Sequence, residues 1–428
     1  MRRGPALVAA LLLAAAPLSA QSLSERVQSL FRFGSCGQPL CLTLTGSLAI
    51  HGSHFTGSAV QANENLLGFL TEAIGATLGS IPISSTTSGA TFRFVEGAPV
   101  STATSAGPIF AERAQTLGRG RMLLGVNSTR LAFDRVRGTD LDDLSFNFSH
   151  QDVQQPGLGD VAGEYDYINV QPSLKLTLQS SAVFATYGLT DRVDVGVAIP
   201  VVYASLDGSS TATIRNVGGT LSGSHSFGAE VGGGNTASAT ASGSKTGIGD
   251  IAVRAKANLR QTDRMGVAIL GDARLPTGDA DNFTGTGKFA LRALGIVSGR
   301  FGAFSPHANG GVALRSGDRQ NNAVLFTAGF DQLLSPKATL AVDAITEWQM
   351  GDSKLTLPSA IRFAGTNATT LPATDIPDRK DNIINLSAGA KFALSGVTVI
   401  VNGILPLGNG GMQSRTGMYT LGVERTFR

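Results

Sequence analysis

Charged side chains recur at every second residue in several stretches of this 428-residue chain. Arg254 and Lys256 are two residues apart, and so are Asp272 and Arg274. Successive side chains of a strand point to opposite faces, so this spacing places each pair on one face of an extended segment. The pattern yields ten candidate residues: Lys175, Asp194, Arg254, Lys256, Asp272, Arg274, Lys288, Arg292, Asp343 and Glu347.

Two kinds of chemistry are open to a charged strand face. Acidic and basic residues can pair with one another and hold a wall together. Alternatively, an excess of basic residues can attract anionic or carboxylate solutes. Residues 254–292 carry basic positions on three consecutive segments, which we expect to be neighbours. Both interpretations remain open at this point.

Nucleophilic chemistry has one candidate set. Ser305 and His307 are two apart with Asn309 beside them, and Ser/His/Asn sets serve acyl hydrolysis. The alternation places all three on the charged face, whereas a membrane lipase would present them to lipid. The sequence around Ser305 also lacks a strained nucleophile turn. We therefore predict no enzyme activity, no catalytic residue, no metal and no cofactor, with an outer-membrane lipase as an alternative.

Composition narrows the class of protein. Charged residues make up 15% of the chain, and there are 54 glycines. After the N-terminus no apolar run reaches the length of a transmembrane helix, but membrane β-strands are only half apolar. The net charge of +3 is spread thinly and is not interleaved with aromatic residues, which argues against a nucleic-acid partner.

The N-terminus carries the features of an export signal. Basic residues precede an apolar core, Ala6 to Ala16, and small residues lead to an expected cut before Gln21. Residues 1–20 are therefore predicted to be a signal peptide. In an oxidising compartment, the closely spaced Cys36 and Cys41 favour a disulfide.

Residues 21–117 differ from the rest of the chain. Asn63 could cap a helix whose apolar stripe includes Leu70 and Ile74, and Gly79 and Pro82 would end it. The segment is too small to bury a core of its own. We expect it to be a plug in the lumen of a larger domain, with a periplasmic extension or a partly disordered segment as alternatives.

From residue 118 onward the chain alternates between apolar and polar residues in about twelve segments of the length that tilted membrane strands need, with 14 strands possible. Short turns alternate with long polar loops, of which 208–247 should be mobile. Lipid offers no hydrogen bonds to the backbone, so such strands must close into an antiparallel transmembrane β-barrel over residues 118–428. The apolar faces, Leu174 and Leu176 among them, should contact lipid, and the charged faces, with Lys175, should line the lumen.

Several motifs resemble those of a known family. Tyr187-Gly-Leu-Thr-Asp-Arg192 and Val195-Gly-Val-Ala-Ile-Pro200 are followed by Gly247-Ile-Gly-Asp-Ile251 and Leu275-Pro-Thr-Gly-Asp279. Together they resemble the meta-pathway phenol-degradation family of outer-membrane β-barrels, over roughly residues 170–428. The resemblance implies uptake of aromatic or other hydrophobic compounds, by barrels similar to long-chain fatty-acid transporters with an N-terminal hatch. The chain lacks an Asn-Pro-Phe motif near its mature start.

These observations predict a passive channel in the outer membrane of a Gram-negative bacterium, with small-molecule solutes and outer-membrane lipids as partners. A structural or adhesive barrel, whose long loops bind a surface partner, is an alternative. The alternation from Tyr419 to Phe427 is similar to the C-terminal signal read by the barrel-assembly machinery, although Arg428 follows the final aromatic residue.

Overall fold

The computed structural model describes residues 21–33, 40, 42, 55, 60, 64–65, 68–75, 77, 92–95, 98–101, 105–152, 157–160, 162–223, 225–228 and 234–427. The predicted signal peptide and the predicted disulfide between Cys36 and Cys41 lie outside these residues.

Strands dominate the described residues. The first seven are β1 (Phe92–Val95), β2 (Ala98–Ser101), β3 (Met122–Phe133), β4 (Arg135–Val136), β5 (Thr139–Asp140), β6 (Phe146–Ser149) and β7 (Asp166–Gly188). The next seven are β8 (Val193–Asn216), β9 (Thr236–Ile248), β10 (Ala252–Gln261), β11 (Met265–Arg274), β12 (Ala290–Gly299), β13 (Phe304–Arg315) and β14 (Ala323–Ser335). The last seven are β15 (Ala338–Gln349), β16 (Ile361–Phe363), β17 (Thr369–Leu371), β18 (Ile383–Leu394), β19 (Val397–Pro406), β20 (Met412–Gln413) and β21 (Met418–Phe427).

Twelve of these strands close into an antiparallel barrel. The hydrogen-bonded order runs β7-β3-β21-β19-β18-β15-β14-β13-β12-β11-β10-β8, and β8 pairs back with β7. Every strand of the ring therefore has two partners, which satisfies the backbone without an open edge. The predicted twelve-stranded barrel is confirmed, and the two further strands of the same sheet, β6 and β9, flank the ring beside β7 and β8.

The two ends of the barrel differ in their connections. At the turn end, β7–β8, β10–β11, β14–β15 and β18–β19 are joined by a few residues each. At the loop end, β3–β7, β11–β12, β15–β18 and β19–β21 are joined by long segments that carry the short strands β4–β6, β16, β17 and β20. Short turns at one end and long loops at the other are the arrangement of outer-membrane barrels, whose short turns lie on the periplasmic side.

The β7–β8 hairpin is longer than a membrane span requires. β7 has 23 residues and β8 has 24, whereas about 9–11 tilted residues cross the bilayer. The outer half of β8 pairs with β9 from Val201↔Ile248 to Thr213↔Thr236. The loop predicted over 208–247 is therefore strand at both of its ends, over 208–216 and 236–247, because Thr-rich sequence fits an extended, paired strand as well as a loop.

In the barrel wall, apolar side chains face outward and charged side chains face inward, as the alternation predicts. On β10 and β11 the apolar residues face out, with Val253 47% and Ile269 51% exposed, whereas Lys256 is 1% and Asp272 2% exposed. An apolar exterior is stable against acyl chains, and an outward Lys or Arg at mid-bilayer would cost ~2–4 kcal/mol. The predicted orientation is confirmed on these strands.

β7 has the opposite orientation to the predicted one. Leu174 and Leu176 are buried on the inward face, and Lys175 is exposed on the outward face opposite Asp207 of β8. The reason is that lipid is not the only apolar environment available. The N-terminal segment lies inside the loop-end half of the barrel and gives these leucines apolar partners.

That segment contributes a short helix, α1 (Leu23–Ser29). Ser22 caps it: its hydroxyl accepts the Glu25 amide at 3.1 Å, and the Glu25 carboxylate accepts the Ser22 amide at 2.8 Å. Residues 68–75 are also helical, within the predicted helix. Among the described residues, no helix is long and apolar enough to cross a membrane.

One large apolar cluster joins the N-terminal segment to the wall. From the segment it includes Leu23, Val27, Phe31, Phe69 and Ile74, and from the wall it includes Phe133, Leu174, Leu176, Leu178 and Val202. Because burial of apolar side chains stabilises a fold in proportion to area, the segment is integral to the loop-end half.

Candidate functional site

At the turn end, residues 105–119 cross the inside of the barrel before β3 begins; we refer to them as the strap. The strap's backbone hydrogen-bonds to wall side chains on one strand after another. Its amides donate to Thr339 Oγ1 from Ala106 (3.0 Å), to Ser298 Oγ from Ala114 (3.0 Å) and to both Asp194 oxygens from Leu117 (3.1 and 3.0 Å). Wall side chains also donate to its carbonyls, as Asn258 Nδ2 does to Ala114 O at 2.7 Å.

Asn309 makes a double contact with the strap. Its Oδ1 accepts the Glu112 amide at 2.8 Å, and its Nδ2 donates to the Glu112 carbonyl at 2.9 Å. Lys256 donates to the Arg113 carbonyl at 3.2 Å. These hydrogen bonds are made to the backbone of the strap and not to its side chains, so they would hold an extended segment of almost any sequence in place.

One strap side chain is buried in an ion pair with the wall. Arg113 donates from Nε to Asp331 Oδ1 at 3.0 Å and from Nη2 to Oδ2, and Ser105 also donates to Asp331. Asp331 is fully buried, and the guanidinium fork matches a carboxylate in geometry. His307 lies on the other side, with Nδ1 3.7 Å from Asp331 Oδ1 and Nε2 2.6 Å from Asp343 Oδ1.

The contacts of Ser305, His307 and Asn309, the candidate hydrolase residues, do not form the arrangement that a hydrolase needs. Asn309 holds the strap and His307 contacts two carboxylates, and no hydrogen bond joins Ser305 to His307 among the described residues. The three residues do face the lumen, as predicted.

Nearer the loop end, β10, β11 and β12 carry a row of charges. Arg254 lies directly opposite Asp272, and Asp272 lies directly opposite Arg292. Arg254 Nε is 2.6 Å from Asp272 Oδ2, and Arg274 Nε is 3.7 Å from Asp272 Oδ1. The predicted neighbourhood of residues 254–292 is thus present, since directly opposed strand residues lie within about 5 Å of one another.

Two further pairs extend the row. Glu347 on β15 accepts from Arg315 on β13 at 2.6 Å. Glu112, on the strap, approaches the row from the turn end, with Oε2 3.3 Å from Lys256 Nζ and Oε1 3.8 Å from Arg254 Nη1. The resulting charge cluster consists of Glu112, Arg254, Lys256, Asp272, Arg274, Arg292, Arg315 and Glu347.

The remaining predicted site residues lie elsewhere. Asp194 borders the charge cluster, since it lies directly opposite Lys256 on β8, and it accepts the Leu117 amide of the strap. Asp343 contacts His307. Lys288 is half-buried in the loop just before β12, at the loop end. Lys175 is on the outer face of β7 and does not line the lumen.

A cavity of about 100 Å³ lies between the strap and the wall from β10 to β18. Its polar lining includes Glu112, Arg254, Asp272, Arg292, Asn309 and Glu347. Its apolar lining includes Phe110, Leu270, Leu294, Leu325 and Ile345. A space with an apolar wall and a few convergent polar groups is the usual form of a small-molecule site.

The loop end is closed around Arg137, a residue that the sequence analysis missed. This side chain is fully buried and donates to Asp381 from Nε at 2.8 Å and from Nη2 at 2.9 Å. It also donates to Ser353 Oγ at 3.0 Å and lies 4.9 Å over the Phe69 ring. Asp381 accepts the Gly411 amide at 2.9 Å, so one ion pair joins three loops and the N-terminal segment.

The loops hold two other acidic features. Arg415 hydrogen-bonds to Asp140 and holds the pKa of that carboxyl below its usual value. Asp152, Asp160 and Glu164 each bring one oxygen within 4.8 Å of the others, and burial together with the Glu164 carboxyl raises the pKa of Asp160. The Glu164 carboxylate accepts the Gly159 amide at 2.8 Å, and we assign no ion to this group.

Among solved structures, the chain is similar to an outer-membrane channel from Pseudomonas putida F1, with 14% identity, 73% of this chain and 98% of that chain covered, and a TM-score of 0.45. It is similar to a Pseudomonas aeruginosa FadL homologue at 11% identity, 72% and 90% coverage and a TM-score of 0.30. It is also similar to a mutant of the TodX monoaromatic hydrocarbon channel, at 9% identity, with 72% of this chain and 88% of that chain covered and a TM-score of 0.31. No curated protein matches the chain.

A family model described as "Putative MetA-pathway of phenol degradation" matches residues 160–403, which is more than half of the chain. These residues run from shortly before β7 into β19 and include most of the charge cluster. The family resemblance inferred from the sequence motifs is confirmed. The chain belongs to this family, and it is a β-barrel of the bacterial outer membrane.

Proposed function

We propose that this chain is a passive outer-membrane channel for small hydrophobic or aromatic compounds. The observation that carries the proposal is the cavity between the strap and the wall. Phe110, Leu270 and Leu294 give it an apolar side suited to a ring, and Asn309 gives it a hydrogen-bonding group. The phenol-degradation family to which the chain belongs supports an aromatic solute.

We also propose that residues 21–117 act as the plug of this channel. The described part of this segment packs at the loop end through Leu23 and Phe69, and crosses the turn end as the strap. A solute must therefore pass beside the segment or move part of it. The strap is the more weakly held element, because it is held mainly by hydrogen bonds and by the ion pairs of Arg113 and Glu112, and not by a large apolar cluster.

The adhesive alternative receives less support. The β8–β9 extension, which would present a binding surface, buries Ala212, Ile214 and Ala237 in the same apolar cluster as α1. It is part of the barrel's packing and not a free loop.

Uptake by Gram-negative cells with intact lipopolysaccharide tests the channel, because that layer slows entry of hydrophobic compounds. Cells with the chain should take up radiolabelled phenol and benzamide several-fold faster than cells without it. Leu294→Trp should fill the cavity and remove most of this gain. Ala293→Trp, on the outward face of the same strand, should leave it intact. Equal uptake with and without the chain, or equal effects of the two substitutions, would rule the channel out.

A further inference from the structure

The charge cluster beside the cavity contains one carboxylate that does not come from the wall. Asp272 and Glu347 are on β11 and β15, and each lies 2.6 Å from an arginine on another strand of the wall. Glu112 is delivered by the strap. Its distances to cations, 3.3 Å to Lys256 and 3.8 Å to Arg254, are longer than those of the two wall carboxylates.

The position of Glu112 is set by its backbone and not by its carboxylate. Both its amide and its carbonyl are held by Asn309. The carboxylate then projects toward five buried or half-buried cations, Arg254, Lys256, Arg274, Arg292 and Arg315. These outnumber the nearby carboxylates, which are the three of the cluster and Asp194, directly opposite Lys256 on β8. Buried cations require nearby negative charge, so this group favours an anion at the position of the Glu112 carboxylate.

The same position borders the apolar half of the cavity. Phe110, two residues before Glu112 on the strap, lines the cavity together with Leu270 and Leu294. A solute with a ring against these side chains could place an anionic substituent beside Arg254 and Arg292, which line the same cavity. No other part of the solute would need to be charged.

We propose that the cavity binds small aromatic acids, such as an arenecarboxylate, and that the Glu112 carboxylate occupies the anion position when no solute is bound. Glu112 is thus a tethered competitor of the solute. This inference rests on the proposed function, since it names the class of solute that the channel site selects. When a solute anion replaces the Glu112 carboxylate, the strap loses its ionic contacts with Lys256 and Arg254. It keeps the hydrogen bonds to Asn309 and the ion pair of Arg113 with Asp331.

Binding to the full-length protein in detergent, measured by titration calorimetry, tests the proposal independently of transport. Benzoate carries both the ring and the charge, acetate only the charge, and benzamide only the ring. Wild-type protein should bind benzoate at least ten-fold more tightly than either of the other two. Equal binding of acetate and benzoate would show a general anion site and would overturn the aromatic assignment.

Substitutions separate the role of Glu112 on the strap from that of Arg292 on the wall. Glu112→Gln should tighten benzoate binding about ten-fold, because the competitor is gone, and should change benzamide binding less than two-fold. Arg292→Gln should weaken benzoate binding about ten-fold, and Lys175→Gln, on the outer face of the barrel, should leave it unchanged. If Glu112→Gln leaves benzoate binding unchanged, or tightens benzamide equally, the competitor role is wrong.

Folding of each variant is checked by the heat-dependent shift of the folded barrel on gels. Glu112→Asp, which keeps the charge but retracts it, provides a milder variant and should tighten benzoate binding by a smaller factor. If benzamide enters cells through the chain but benzoate does not bind, the inference fails and the channel proposal survives. If benzoate binds as expected but no solute enters cells, the site stands and the channel proposal fails.

Discussion

Asn309 of the wall pairs with Glu112 of the strap as one strand pairs with another, accepting its amide at 2.8 Å and donating to its carbonyl at 2.9 Å. The side-chain amide thus supplies both halves of a backbone contact to a segment that pairs with no strand among the described residues. This contact places the Glu112 carboxylate in the charge cluster, so it links the closing of the turn end to the binding cavity.

The Asn309 contact predicts the effect of its removal. Asn309→Ala deletes two buried hydrogen bonds and should lower the free energy of unfolding by about 1–3 kcal/mol, since each bond contributes roughly 0.5–1.5 kcal/mol. Urea unfolding in detergent measures the change. Ser305→Ala, at a buried position on the same face with no hydrogen bond to the strap among the described residues, is the matched control and should have a smaller effect. A larger loss in the control would contradict the assigned role.

The pair of Arg113 and Asp331 should show the behaviour of a buried ion pair. Asp331→Ala leaves the guanidinium buried without its carboxylate and should cost about 3–5 kcal/mol, or release the strap and let sucrose leak through reconstituted liposomes. Replacing both partners, as Arg113→Met with Asp331→Leu, should restore much of the stability, because no unpaired charge remains. If the double variant unfolds more easily than Asp331→Ala, the pair stabilises the strap in another way.

Periodicity was sufficient for most of the wall and for the charge row. Arg254 and Lys256 alternate with Val253 and Ala255, and a lipid-facing lysine is costly, so their orientation follows from sequence. The rule failed at Lys175 because it treats lipid as the only apolar neighbour, whereas the N-terminal segment packs against Leu174 and Leu176. Contacts between distant loops, such as Arg137 with Asp381, have no periodic signal, and a lone Arg-Gly pair in a loop reveals nothing of them.

The reversed face of β7 predicts a pattern of chemical labelling. In a background with Cys36 and Cys41 replaced by Ser, Lys175→Cys should react with a membrane-impermeant maleimide at least ten-fold faster than Leu176→Cys. Lys175 is exposed on the outer face, and Leu176 is buried in the apolar cluster. Labelling of intact cells gives the two rates. Faster reaction at Leu176→Cys would restore the orientation expected from the sequence alone.

Arg137 should be the most sensitive position of the loop end. Arg137→Met keeps an aliphatic chain but leaves Asp381, which is 5% exposed, without its cation, and should lower the free energy of unfolding by about 3–5 kcal/mol. Residues 350–382 should then become accessible to protease, because Arg137 no longer joins them to the other loops. Arg135→Met is the matched control: its pair with Asp140 is one-third exposed on both sides and should contribute at most about 1 kcal/mol. Similar protease resistance in the two variants would mean that the apolar cluster, and not the Arg137 ion pair, keeps the loops closed.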